Sequence, residues 1–134
     1  MLKRTIAVAT IAVLATFGAL QAQSPPPAPA GIKRTVLQTT DVPGSSYVVL
    51  VAQLEVQAGI KIPRHTHPGT VGGSVIEGTY SVQFDGQPEK VYKPGDYIEI
   101  PAGTVHSEWA GDKPAKLMVV YTVEKGKPLA SMIP

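Results

Sequence analysis

From Ile32 to the C-terminus no segment of the chain carries a sustained helical apolar period. Short runs rich in β-branched and aromatic residues alternate instead with glycine, proline and aspartate. Runs of that length, bounded by such breakers, form strands rather than helices. The spacing predicts strands over Ile32–Thr40, Tyr47–Gln57, Lys61–His67, Ser74–Glu77, Thr79–Phe84, Val91–Tyr92, Tyr97–Ile100, Val105–Trp109 and Ala115–Val123. Asp85-Gly86 marks a tight hairpin that needs positive φ, and Pro94-Gly95-Asp96, Pro101-Ala102-Gly103 and Gly111-Asp112 mark further turns. Many short strands at this spacing make an all-β domain, a sandwich or a barrel.

The N-terminus is of another kind. Lys3 and Arg4 precede Ile6–Leu20, fifteen residues without a charge, and small residues follow up to Ala22. A positive start, a short apolar run and a small-residue exit are the parts of a secretory signal peptide. About 20 apolar residues are needed to span a bilayer, so the run is short for a permanent anchor. Residues 1–22 are therefore expected to be cleaved, leaving a periplasmic or secreted protein with no stable membrane anchor. Lys3-Arg4 is not a twin-arginine signal, so the chain should cross unfolded. Residues 23–31 contain Pro25, Pro26, Pro27 and Pro29. They read as an extended spacer, because proline fixes φ and nothing in the segment can build a core.

The folded unit then covers residues 32–134, enough for one small barrel. There are no cysteines to cross-link it. Stability must come from sheet packing, with a homodimer as the available supplement. Lys3 and Arg4 account for the whole +2 net charge, so the mature chain is neutral. No basic run remains, which argues against nucleic acid and anionic membranes as partners.

Of the 134 residues only three are histidines, His65, His67 and His106. Residues i and i+2 of a strand share a face, so His65 and His67 can present two imidazoles to one ion. His106, on a later strand, could complete the set. The sequence has no cysteine nucleophile, no glycine-rich phosphate loop after a strand and no Gly-X-Ser-X-Gly elbow. Its acidic turns lack the companion acids of a calcium loop.

The histidines stand in a recognisable frame: Gly59, five residues, His65-Thr66-His67, then Gly78; later Gly95, five residues, then Pro101 to His106. In this the chain resembles the cupin superfamily, with residues 59–78 as the first motif and 95–110 as the second. The resemblance implies a small double-stranded β-helix, the cupin jelly-roll barrel. It also implies a divalent metal held inside by His65, His67 and His106. The donor set suits Zn, Cu, Fe, Ni or Mn without choosing among them.

Two positions depart from the family pattern. The glutamate usual seven residues before the closing glycine is Val71 here, and the asparagine often found four residues after the second-motif histidine is Ala110. The resemblance is then to cupins with three-histidine sites, such as the thiol dioxygenases. Losing a carboxylate opens one coordination position and raises the local charge, which favours an anionic or chelating ligand. Glu77 lies too far along an extended strand to substitute for it. Glu108, at i+2 from His106, is the auxiliary candidate to ligate the metal or orient a water, although a rim salt bridge is the commoner fate of such a residue. Gly72 and Gly73 beside the vacant position suggest a roomy cavity mouth. Arg64 should point outward, and Trp109 and the tyrosines read as core or rim packing. The implied activity is a mononuclear non-haem dioxygenase acting on a small organic molecule. A non-catalytic binding protein of the envelope and a metal-dependent isomerase or lyase are the alternatives.

Overall fold

The structure is a computed structural model that describes residues 28–134. The expected signal peptide and most of the expected spacer lie outside the described residues. Ten strands follow in order: β1 Ile32–Asp41, β2 Tyr47–Val56, β3 Lys61–Thr66, β4 Gly69–Glu77, β5 Tyr80–Phe84, β6 Lys90–Tyr92, β7 Tyr97–Ile100, β8 His106–Ala110, β9 Ala115–Glu124 and β10 Ser131–Met132. They form two five-stranded antiparallel sheets, ordered β1-β2-β9-β4-β7 and β10-β3-β8-β5-β6. From β2 onward the chain passes back and forth between the sheets, with β5 and β6 the one consecutive pair in the same sheet. This is the double-sheet barrel, and its core lies between the layers.

Alternation decides which side chains fill that core. On β2 the buried residues are Leu50, Ala52, Leu54 and Val56; on β9 they are Ala115, Leu117, Val119, Tyr121 and Val123. The register sets Leu54 opposite Leu117, Ala52 opposite Val119 and Leu50 opposite Tyr121, so one apolar face continues across the sheet. Each fully buried branched side chain contributes roughly 1.5–3 kcal/mol.

Two elements differ from the sequence expectation. Strand β4 begins at Gly69 rather than Ser74, and β10 has no counterpart among the expected strands. Glycines at 69, 72 and 73 hide the start of β4 from propensity, yet the structure needs them. A Cβ at Gly69 would strike the backbone of Thr122 and Val123 on β9, and one at Gly72 would meet the Tyr97 hydroxyl. Gly72 and Gly73 both line the cavity between the sheets, as their small size suggests, while the Tyr97 that covers Gly72 is itself largely exposed. The irregularity in this pairing falls between Val75 and Glu77, and Gly73 pairs regularly with Val119 and Ile98. The Asp85-Gly86 hairpin is also longer than a two-residue turn, since β6 starts only at Lys90. Gly86 keeps its positive φ of 73°.

Gly78, the glycine that closes the first motif, has a structural task. Its φ is 74°, and a Cβ there would run into the Pro114 carbonyl oxygen. Both the left-handed backbone and the close approach exclude any other residue. This corner turns the chain from β4 in one sheet into β5 in the other.

Candidate metal centre

Strands β3 and β8 are antiparallel neighbours, and their register makes His65 and His106 direct partners. That pairing brings two histidines forty-one positions apart in the sequence onto one wall. His67 sits just past the end of β3 and turns the same way. The ring centres lie 4.9 Å apart for His65 and His67, 4.2 Å for His65 and His106, and 5.1 Å for His67 and His106. One nitrogen from each falls within 4.8 Å of the others, and all three residues are buried.

Backbone carbonyls fix the rings. The Nδ1–H groups donate to the Pro63 carbonyl at 2.7 Å from His65, to the Leu129 carbonyl at 2.7 Å from His67 and to the Thr104 carbonyl at 2.9 Å from His106. A carbonyl only accepts, so each proton sits on Nδ1 and each Nε2 lone pair is free for an ion. Pro63 lies within the register shift between Ile62 and His65, where its missing N–H breaks no regular ladder bond. Leu129 comes from the loop before β10, and β10 itself pairs with His65 and Thr66. The C-terminal segment thus orients His67, a role no sequence pattern announced.

Electrostatics agree with that tautomer. Burial holds His67 and His106 down to about 4 and lowers His65 as well, so all three imidazoles are neutral at physiological pH. The Nε2 of His106 is buried without a hydrogen-bond partner among the described residues. An orphaned lone pair in the interior is costly unless something accepts it. Three free lone pairs, one of them otherwise unsatisfied, fit a divalent cation that prefers imidazole nitrogen.

Glu108 is not at the rim. It is buried, with its carboxylate oxygens 3.7 Å from His106 Nε2 and 3.9 Å from His65 Nε2, and Tyr80 Oη donates to it at 3.3 Å. Alternation from His106 carries it inward, and no rim cation reaches it. Desolvation raises its carboxyl to about 7, against the opposing effects of the Tyr80 hydrogen bond and the Arg34 charge. A divalent cation beside it would draw it to the carboxylate. Glu108→Gln keeps the shape and the Tyr80 contact but removes that charge. Zinc affinity, followed by competition with a chromophoric chelator, should fall about 10- to 100-fold. Unchanged affinity would mean that the carboxylate does not act on the ion.

His65 and His67 open onto a cavity of about 170 Å³ between the sheets, with His106 buried behind them. Its wall is mostly apolar, with Leu54, Ile62, Val71, Ile100 and Val119 among the lining residues, and Tyr80, Glu108, Tyr121 and Arg34 as the other polar groups. Val71 faces this space, as expected of the position where the family's glutamate would stand. Glu77 is exposed and paired with Lys116. Arg64 points outward to Asp85, and Trp109 lies with Lys61 Nζ 4.8 Å from its ring centre. Arg34 was not singled out by the sequence, although Ile32, Arg34 and Val36 alternate as one face of a strand.

The family model of the cupin domain matches residues 52–121, half of the chain and both histidine motifs. The chain is a cupin. A cupin-like protein from Thermotoga maritima is 24% identical over 76% of this chain and 75% of its own, with a TM-score of 0.62. An oxalate oxidase is 25% identical over 80% of this cupin and 57% of its own chain, TM-score 0.60. The DMSP lyase DddQ from Ruegeria pomeroyi is 20% identical over 75% and 51%, TM-score 0.61. The cupin thus spans little more than half of these last two proteins. Among the curated proteins none matches by sequence.

Proposed function

We propose that this is an exported cupin that holds a divalent metal through His65, His67 and His106 and transforms a small organic molecule in the cavity beside it. The observation that carries the reading is the set of three converging Nε2 lone pairs, freed by three Nδ1–carbonyl bonds, with His65 and His67 in the wall of a mostly apolar chamber. When bound, the ion supplies a Lewis acid for a substrate oxygen or, if redox-active, a meeting point for substrate and dioxygen. The side chains do the rest. The apolar wall excludes bulk water, the carbonyl bonds keep the imidazoles from rotating, and Val71 leaves uncovered the side from which a carboxylate would otherwise approach.

Dioxygenase chemistry is the first reading, supported by the all-imidazole set, and the likeness to an oxalate oxidase is compatible with a dioxygen-dependent reaction. A redox-neutral lyase or isomerase is the second, and one observation favours it. Glu108 and Tyr80 form a buried hydrogen-bonded acid and hydroxyl beside the histidines, suited to taking a proton from a substrate and returning it. The likeness to a DMSP lyase is compatible with that chemistry. Turnover that stops without dioxygen supports the first reading, and undiminished anaerobic turnover supports the second.

Export and metal loading are tested together on protein recovered from the periplasmic fraction of its host. The intact mass should correspond to a chain beginning near Gln23, and elemental analysis should find close to one divalent ion per chain. An ion acquired outside the cytoplasm follows affinity order, so copper or zinc should exceed iron and manganese. Full-length protein in the membrane pellet would contradict export, and metal-free protein would contradict the site.

A further inference from the structure

Arg34 is the one lysine or arginine among the residues that line the cavity. Lys33, Arg64, Lys116, Lys125 and Lys127 each pair with a carboxylate on the outer surface. Arg34 enters no ion pair among the described residues, although it is half-buried. Its register partner is Leu54, which faces the core, so the strand turns Arg34 inward. There it lines the same cavity as His65 and His67, but from the facing sheet. Its Nε is buried without a hydrogen-bond partner, and its guanidinium carbon lies 5.6 Å from the centre of the Tyr121 ring. Its charge is felt by His67, Tyr80 and Glu108.

A half-buried guanidinium whose buried Nε has no hydrogen-bond partner, facing a mostly apolar chamber, has a donor that no carboxylate among the described residues takes up. We infer that Arg34 is the substrate-anchoring residue of this cupin and that its ligand is a small organic carboxylate, gripped by the guanidinium on one wall while its other end faces the histidines. The inference rests on the proposed function in taking the cavity as the substrate chamber. The planar fork matches a carboxylate through two parallel hydrogen bonds. The Tyr121 ring, within cation–π range at 5.6 Å, helps hold the guanidinium in place for it. A phosphate, tetrahedral and more strongly hydrated, would need cationic donors on further sides, and Arg34 is the only lysine or arginine lining the cavity. Size sets the other limit. A cavity of about 150 Å³ accepts benzene. The 170 Å³ here therefore suits a carboxylate of roughly six heavy atoms, short enough to lie between the two sheets.

The test uses malonate as the charged probe and malonamide as its neutral counterpart, with the mature chain at fixed ionic strength. Calorimetry is run on metal-free protein, so that anion binding is read independently of the ion. Malonate should bind the unsubstituted protein at least tenfold more tightly than malonamide or inorganic phosphate. Arg34→Met, which keeps the length of the side chain, should lose at least tenfold in malonate affinity, and Arg34→Lys should fall between. Both variants should bind zinc with the stoichiometry of the unsubstituted chain. Equal malonate binding to the unsubstituted protein and Arg34→Met, equal binding of malonate and malonamide, preferred binding of phosphate, or no malonate binding at all would overturn the inference. Failure of zinc to bind the unsubstituted chain would overturn the metal reading instead. The malonate comparison would still decide the role of Arg34.

Discussion

His106→Leu should abolish metal binding while leaving the barrel folded. The side chain is completely buried, so its replacement is felt entirely inside. Leucine has similar bulk and fills the space without the lone pair that now lacks a protein partner. In the metal-free protein two effects oppose each other. The substitution removes an orphaned polar atom, worth about 1–3 kcal/mol, and also breaks the hydrogen bond to the Thr104 carbonyl, worth about 1 kcal/mol. The metal-free melting temperature should therefore change little. With zinc the contrast is large. A ligand at 100 times its dissociation constant adds about 2.7 kcal/mol, which for a domain of this size is a rise on the order of 10–20 °C. That rise should vanish in His106→Leu, with zinc affinity down at least 100-fold. Equal zinc occupancy of the two proteins, measured by elemental analysis after gel filtration, would make His106 an ordinary core histidine.

The ease with which the site can be read from the sequence has a physical origin. His65 and His67 are placed by the two-residue period of a strand, which any sequence displays. His106 joins them through the pairing of β3 with β8, which the motif spacing encodes and local pattern does not. The signals that failed were of two kinds. Glycine has low strand propensity, so the start of β4 was invisible, although close packing against β9 and Tyr97 is what demands glycine there. Charged residues are usually at the surface, so Glu108 was expected at the rim and Arg34 was passed over. In each case alternation was the better guide: Glu108 shares a face with His106, and Arg34 shares one with Ile32. A charge placed on the apolar face of a strand identifies the chamber wall. The carbonyl of Leu129 could not have been foreseen at all, since it reaches His67 through tertiary packing alone.

Val71→Glu should make the metal-free protein less stable and the metal-loaded protein tighter. Val71 is buried, lines the cavity and lies between Ile100 and Tyr121 across its two neighbouring strands. A carboxyl group placed there without a cation must be desolvated or take up a proton, and the loss should be about 2–4 kcal/mol. With a divalent ion the same group becomes a fourth protein donor, lowers the charge of the site and occupies a position otherwise open to small molecules. Zinc affinity should rise about 10- to 100-fold, so that the melting-temperature difference between the metal-free and zinc-loaded forms exceeds that of the unsubstituted protein. Any turnover should fall as binding tightens. Arg34 offers the introduced carboxylate a competing partner in the same cavity. If that pairing prevails, the metal-free variant is stabilised rather than weakened, zinc affinity stays unchanged and malonate no longer binds. The sign of the metal-free stability change therefore tells which cation captures the carboxylate. Unchanged zinc affinity together with unchanged malonate binding would mean that residue 71 reaches neither, and that the first motif is aligned wrongly at this position.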